Sequence, residues 1–330
     1  LQIDKHSELM KNTRIQIFRA VAIMAVVMIH TTPGGLCQVV FKPFVSFAVA
    51  TFLFLSGYLT KADNDNWFAF YRKRIIRVLV PYLIWTIVYS IPDLNSEGPA
   101  RLVKNMLSAN ATTTLYYVFV YIQFVLLTPF LCRLARSRYR SIGWLVAPIS
   151  VIVFKYIPVF GDLQMGRHLQ LLWSDACLGW FTFYYMGLIL GNKIMGGTFK
   201  VRNLIYIYCA SLLLQAGEGY IWSIYDPAGC GSQLKLTSIL SSSIFILIIY
   251  NVLENKSSRM HCKAMEVIGD YSFGIYLSHM MVLKALETLP FYNDIPFPLT
   301  SLIVLVLSLA FCCICTAVTG RKAGRWLGFI

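Results

Sequence analysis

Apolar runs of about 15 to 22 residues recur along the whole chain and are separated by short polar connections. Runs of this length match the roughly 20 residues that an α-helix needs to cross a bilayer core. The pattern predicts an all-α fold, a polytopic membrane helical bundle of about ten transmembrane helices. The predicted spans are residues 14–32, 39–60, 75–92, 113–132, 141–158, 174–192, 203–222, 234–253, 269–289 and 298–319.

The basic residues divide unequally between the two sides of this predicted bundle. Of the 29 Lys and Arg residues, 21 fall on the side of the N-terminus, 7 fall on the other side or at its helix ends, and Arg19 lies inside a span. Because basic residues concentrate in cytoplasmic loops, both termini are predicted to be cytoplasmic. Residues 1–13 then form a cytoplasmic segment, 14–320 the transmembrane domain and 321–330 a cytoplasmic tail.

Composition and charge narrow the function classes. The chain of 330 residues is 57% hydrophobic and only 13% charged, which leaves no room for a soluble catalytic domain. The net charge of +14 is interpreted as a topology signal and not as a nucleic-acid surface, so the expected partner is the lipid bilayer of a bacterial cytoplasmic membrane. The nine cysteines show no metal-ligand spacing, although Cys37 and Cys230, both predicted outside, could pair.

Two ionisable residues, Arg19 and His30, lie in the apolar first span with ten residues between them. Eleven helical steps bring their side chains to within roughly 20° of one face and separate them by about 16 Å along the axis. Ionisable groups at such depths are costly, and they usually face the bundle interior and mark a substrate path or a reaction centre.

Five segments carry a family resemblance. They are Arg19-x10-His30; Thr-Phe-Leu-Phe-Leu-Ser-Gly-Tyr-Leu at 51–59; Lys-Arg-Ile-Ile-Arg at 73–77 followed by Pro-Tyr at 81–82; the apolar residues 115–131 with Gln123 and Pro129; and Gly-Asp-Tyr-Ser-Phe-Gly-Ile-Tyr-Leu-Ser-His at 269–279. In this order they resemble the motifs of the acyltransferase 3 family of membrane O-acyltransferases. The resemblance covers nearly the whole chain.

The resemblance implies an enzyme that moves an acyl group, usually acetyl from acetyl-CoA, to a hydroxyl of an extracytoplasmic glycan such as exopolysaccharide, capsule or O-antigen. A sugar hydroxyl is a weak nucleophile, and a histidine can remove its proton during attack on the thioester. His30 is the candidate base. Arg19 is assigned to catalysis and to the donor channel, and Arg74 with Arg77 to the CoA phosphates, because arginine forks match phosphate oxygens. No metal is expected.

Other polar residues could line the substrate path or the channel. These candidates are Ser56, Tyr58, Gln123, Asp175, Tyr276 and His279. Because His30 falls near the outer boundary and CoA binds inside, we expect a through-membrane channel, with a relay through an acyl-enzyme as the alternative. For Asp175 a helix N-cap, and for His279 a structural role, is the competing interpretation.

Alternatives remain for the arginines and for the whole protein. Arg74 and Arg77 could be topogenic only, and Arg19 could snorkel to the inner interface. The chain could be a transporter or carrier of a small anionic or acyl-bearing solute, since a buried Arg and His suit an ion path equally well. It could also be the membrane half of a larger fused protein.

Overall fold

The computed structural model describes residues 2–63, 66–163, 173, 176–195, 197, 199–255 and 260–329. The described residues form helices joined by turns and short loops, with no β-strand among them. The all-α prediction is therefore confirmed.

Fourteen α-helices occur in the described part of the chain. They are α1 Gln2–Thr31, α2 Leu36–Phe41, α3 Phe47–Tyr58, α4 Trp67–Glu97, α5 Pro99–Ser108, α6 Tyr116–Arg136, α7 Ile142–Val151, α8 Ile157–Phe160, α9 Phe181–Gly191, α10 Val201–Tyr225, α11 Leu236–Glu254, α12 Lys263–Asp270, α13 Ser272–Glu287 and α14 Leu299–Trp326. Short 3-10 turns cover Lys42–Val45, Cys177–Trp180 and Pro290–Asp294, and a π turn covers Ile152–Tyr156.

Eight helical segments of the described chain are long and apolar enough to cross a membrane. They are Asn12–Thr31, Leu36–Tyr58, Trp67–Pro92, Tyr116–Arg136, Ile142–Phe160, Val201–Tyr225, Leu236–Glu254 and Leu299–Trp326. They coincide with eight of the ten predicted spans. The other two predicted spans, 174–192 and 269–289, contain the shorter apolar helix Cys177–Gly191 and the 16-residue α13. The structure thus supports a multi-pass membrane protein, while the count of ten and the sides of the termini stay predictions.

Prolines occur inside the third and the fifth predicted spans, and only the helix of the fifth is interrupted near its proline. Helix α4 continues through Pro81 and Pro92. Its N-cap is Asn66, whose side chain accepts a hydrogen bond from Ala69 N at 2.9 Å. In the fifth predicted span, the π turn Ile152–Tyr156 joins α7 to α8, and Ile157 N donates to Ile152 O. The next residue is Pro158, which has no N–H to continue an ordinary helical ladder, so the extra residue in this turn has a local cause.

The chain folds into two compact units. The first comprises Leu1–Asp63, Pro129–Trp173 and Leu178–Gly269, and the second comprises Asn64–Thr128, Ser174–Cys177 and Asp270–Ile330. In the first unit α3 lies at the centre and contacts α1, α9 and α11, while α10 packs on α11. In the second unit α4 contacts α5, α13 and α14, and α13 packs along α14.

Reporter fusions test the predicted sides of the membrane. We expect cytoplasmic signals for fusions after Lys61, Arg140, Arg202, Lys263 and Arg325. We expect outside signals for fusions within 93–112, 162–173 and 225–234, because these connections carry few basic residues. An odd number of spans would reverse every later site and contradict the predicted topology.

Candidate functional site

Helix α1 carries the two residues of the first motif. It runs without a break from Gln2 to Thr31, so the eleven-residue spacing places Arg19 and His30 on one side, about 16 Å apart along the axis. Both are half-buried. The Arg19 guanidinium donates to Gln16 Oε1 at 3.4 Å, and Gln16 lies one turn earlier on a neighbouring part of the same surface.

The residues between this pair belong to the packed interior. Ala20, Ala22, Ile23 and Val27 are fully buried. The helix therefore carries Arg19 and His30, both half-buried, at the two ends of a stretch with a buried face. In such surroundings charges interact more strongly than in bulk water. This position suits an imidazole that accepts and returns a proton during a reaction.

His30 lies in the last turn of α1, where backbone carbonyls lose their helical donors. Two threonines add side-chain donors at this end: Thr31 Oγ1 donates to Val27 O at 3.0 Å, and Thr32 Oγ1 donates to Met28 O at 2.5 Å. Met28 O also accepts from Thr32 N at 2.9 Å. The carbonyl end of a helix stabilises positive charge.

The Ser-Gly-Tyr part of the second motif is a packing site. A Cβ added at Gly57 would lie 3.0 Å from Leu188 N and 3.2 Å from Gly187 Cα. A Cβ at Gly191 would lie 2.7 Å from Tyr58 Cα. Helices α3 and α9 therefore approach each other backbone to backbone, and Gly187 and Gly191 form the small-residue spacing that permits this in membrane helices.

Tyr58, predicted to line the substrate path, fastens α3 to the end of α11. Its hydroxyl donates to Glu254 Oε1 at 2.5 Å, and Lys193 Nζ lies 3.9 Å from Glu254 Oε2. Arg14, which is only 3% exposed, donates to Val252 O at 2.7 Å and to Asn255 O at 2.6 Å. The guanidinium thereby satisfies carbonyls at the C-terminus of α11. A channel role for Tyr58 stays a prediction.

Arg74 and Arg77 lie in the first turns of α4, three residues apart and hence on one face. The Arg74 guanidinium carbon is 4.9 Å from the centre of the Phe70 ring, and Arg77 is exposed. Arg72 and Lys73 are also exposed in the same turn. Arginine forks match phosphate oxygens, but a role of Arg74 and Arg77 in holding CoA phosphates stays a prediction.

Three further predicted residues belong to the second unit. The Tyr276 hydroxyl donates to Thr114 O, and its ring centre lies 6.2 Å from that of His279. His279 is fully buried, with Nδ1 at 2.8 Å from Tyr276 O and 3.0 Å from Ile275 O. Nδ1 must then carry the proton of the neutral ring, and Nε2 carries the lone pair. Gln123 Oε1 accepts a hydrogen bond from Cys177 N at 3.0 Å.

The predicted residues thus fall into two groups. Arg19, His30, Ser56 and Tyr58 belong to the first unit. Those in the second unit are Arg74, Arg77, Gln123, Tyr276 and His279. Asp175 lies outside the described residues. Ser56 is half-buried, and its carbonyl accepts from Thr60 Oγ1 at 2.8 Å.

The cysteines that could pair and the serines that could carry an acyl group differ in burial. Cys37 and Cys230 are both free thiols, the first exposed and the second buried. For the alternative of an acyl-enzyme relay, the sequence offers Ser56, Ser272 and Ser278 as possible carriers. Ser272 and Ser278 are buried, and the Ser278 hydroxyl donates to Gly274 O at 2.9 Å within its own helix. Sequence reasoning missed Arg14 and Glu254, although their charges next to apolar runs were a usable signal.

Comparison with protein families gives an independent result. The family model described as an acyltransferase domain, that of the acyltransferase 3 family, matches residues 12–317. No curated protein and no solved structure is significantly similar to the chain. The family match covers nearly the whole chain and includes every motif segment described above. The chain therefore belongs to the acyltransferase 3 family.

Proposed function

We propose that this protein is a membrane O-acyltransferase that moves an acyl group, in the simplest case acetyl, from cytoplasmic acyl-CoA to a hydroxyl of a cell-surface or secreted glycan. The observation that carries the proposal is the half-buried His30 at the end of a membrane-length helix, within a chain of an acyltransferase family. A half-buried imidazole there is available to a substrate, yet shielded enough to act as a selective base.

His30 acts as the general base in this proposal. The donor supplies an activated thioester carbonyl. His30 removes the proton of the acceptor hydroxyl while that oxygen forms its bond to the carbonyl carbon. The carbon–sulfur bond breaks, and the imidazolium returns the proton to the leaving sulfur, so the protons balance over one turnover. Arg19, about 16 Å nearer the predicted cytoplasmic side, contributes a fixed positive charge along the donor path.

Arg74 and Arg77 are proposed to hold the donor phosphates. Replacing both with Ala should raise the KM for acyl-CoA and weaken binding of free CoA, because each lost charge-assisted contact is worth about 1.5–3 kcal/mol. The matched control is Arg72→Ala with Lys73→Ala, which removes the same charge from neighbouring exposed positions. Equal effects of the two double variants, measured by CoA competition, would show that the arginines serve topology alone.

Acyl transfer by the purified full chain in lipid nanodiscs tests the function itself. We expect CoA release from labelled acetyl-CoA to depend on an added polysaccharide, and the label to appear on that polysaccharide as an alkali-labile ester. A protein that leaves the thioester intact but moves a labelled anionic solute into proteoliposomes would be a carrier, and the proposal would be wrong.

A further inference from the structure

Three lysines of the first unit converge on three consecutive residues of the loop before α11. Lys235 Nζ donates to Cys230 O at 2.6 Å, and Lys155 Nζ donates to Ser232 Oγ at 2.6 Å. Between them, a Cβ added at Gly231 would lie 3.1 Å from Lys42 Nζ. Lys42, Lys155 and Lys235 are called the lysine cluster below. All three belong to the small set of basic residues that the sequence places on the outer side.

These ammonium groups are shielded from water. Lys235 is 2% exposed, and Lys42 and Lys155 are half-buried. The charges of Lys42 and Lys155 both interact with that of Lys235. Burying like charges together is costly unless a counter-charge compensates for the lost hydration. A lysine that only directs membrane topology can stay hydrated at the interface. The burial of these three ammonium groups therefore indicates a further role.

Among the described residues, the hydrogen-bond partners of the lysine cluster are all neutral. Lys42 Nζ donates to the amide oxygen of Gln38 at 2.6 Å, and the other two lysines bond a hydroxyl and a backbone carbonyl. None of the ion pairs within 4.0 Å among the described residues involves the three lysines. Each ammonium group has three N–H donors, so the three hydrogen bonds to described residues use three of the nine donors of the cluster.

Two carboxylates in the same region offset the charge of the cluster only in part: the charge of Glu218 acts on Lys235 and Lys155, and that of Asp226 acts on Lys155. Glu218 accepts hydrogen bonds from both the backbone N and the hydroxyl of Thr237, so it caps the start of α11. Asp226, which ends α10, interacts with the charge of Lys155 only beyond ion-pair distance. Three cations against two carboxylates leave one positive charge in excess.

Uncharged polar groups continue from the cluster into the unit. The Trp222 indole is fully buried beside Lys155, whose Nζ lies 5.6 Å from the ring centre. Within the described part of the chain, Trp222 Nε1 finds no hydrogen-bond acceptor. Ser238 Oγ donates to Ser232 O at 3.2 Å and accepts from Gln215 Nε2 at 2.9 Å. The surroundings are therefore rich in hydroxyl and amide groups, which match a polyhydroxylated ligand better than the acyl chains of a lipid.

We propose that the lysine cluster binds a carboxylate or phosphate group of the acceptor, so that the acceptor is an acidic glycan. An anionic sugar would supply the missing counter-charge and use the free N–H donors, while its hydroxyls would meet Ser232 and its polar neighbours. This inference rests on the proposed function and on the predicted outer location of the cluster. It names the substrate class that the acyltransferase activity leaves open.

A binding experiment without any acyl donor tests the inference. The probes are an oligosaccharide that ends in glucuronic acid and the same oligosaccharide ending in glucose, measured by equilibrium dialysis against the full chain in phosphatidylcholine nanodiscs. The wild type should bind the acidic probe at least roughly tenfold more tightly, as expected for one lost charge-assisted contact. Lys155→Gln and Lys42→Gln should abolish this preference, and Lys155→Arg should keep it.

Exposed lysines on the predicted outer side provide the matched controls. Lys104→Gln and Lys284→Gln change the net charge equally and should leave the preference intact. No preference in the wild type, or a preference that survives Lys155→Gln and Lys42→Gln in protein with an unchanged thermal midpoint, would overturn the inference. So would a lysine-dependent enrichment of phosphatidylglycerol over phosphatidylcholine in purified protein together with no saccharide preference, because the ligand would then be a lipid headgroup.

The two proposals fail in different ways. If the lysine cluster does not bind acidic sugars preferentially, acyl transfer to a neutral acceptor still proceeds and still requires His30. If the protein is no acyltransferase, the thioester stays intact while the preference of the wild type for the acidic probe remains measurable.

Discussion

His30→Ala is expected to reduce acyl transfer by about 10²- to 10⁴-fold, the usual contribution of a positioned general base. The protein level in the membrane should change little. The imidazole is half-buried at the last turn of α1, while the packing of that turn comes from Val26 and Val27, which are 3% and 0% exposed. Glycan acetylation in whole cells, normalised to membrane protein, measures the effect.

His261 offers a matched control for this variant. It is exposed and pairs through Nδ1 with Glu266 Oε1 at 2.7 Å, at a position with no proposed role in transfer. His261→Ala should therefore retain acetylation. Full acetylation by the His30→Ala protein, or an equal loss in both variants, would remove His30 from the mechanism.

Gly187→Ala is expected to destabilise the first unit by about 1–3 kcal/mol, the usual cost of overpacking. The added Cβ would lie 2.7 Å from Tyr58 N and 3.0 Å from Gly57 Cα. These neighbours are backbone atoms, so they cannot move aside as a side chain does, and α3 must separate from α9. A lower thermal midpoint in detergent and less protein in the membrane should follow.

Gly217→Ala on α10 makes the same chemical change where nothing lies within 4 Å of the new Cβ. It should leave the thermal midpoint unchanged or raise it, since Ala is the better helix former by up to about 1 kcal/mol. If Gly187→Ala and Gly217→Ala behaved alike, the close contact of α3 with α9 would not contribute to stability. If the Gly187→Ala protein that remains in the membrane has a normal KM for acyl-CoA, the substitution changes helix packing and not donor binding.

The first two sequence motifs have different roles, one proposed to be chemical and one structural. The first motif keeps its proposed chemical role, because Arg19 and His30 share one side of a single continuous helix. The second motif has a structural explanation that needs no substrate. Gly57 permits the contact with α9, and Tyr58 bonds Glu254 at the end of α11. A motif residue can thus be required for activity because it places helices correctly.

Periodicity and composition were sufficient for the local part of the fold. An apolar run longer than a bilayer core must bury its backbone in a helix, whatever surrounds it. The sequence therefore predicted the helical class, eight of the membrane-length helices, the continuity of α1 and the family. Helix α13 and the helix Cys177–Gly191 are shorter than the predicted spans that contain them, so the count of ten spans stays a prediction.

What the sequence by itself determined about this protein is the all-helical class, eight membrane-length helices and the face of α1 that carries Arg19 and His30. Only the tertiary structure decided the partners of the other polar residues. Arg14 counted as one more cytoplasmic charge until the fold brought it to the end of α11, 238 residues along the chain. Lys42, Lys155 and Lys235 likewise looked like scattered outer charges. Side-chain contacts between distant segments depend on how helices pack, and helix packing leaves no period in the sequence from which those contacts could be predicted.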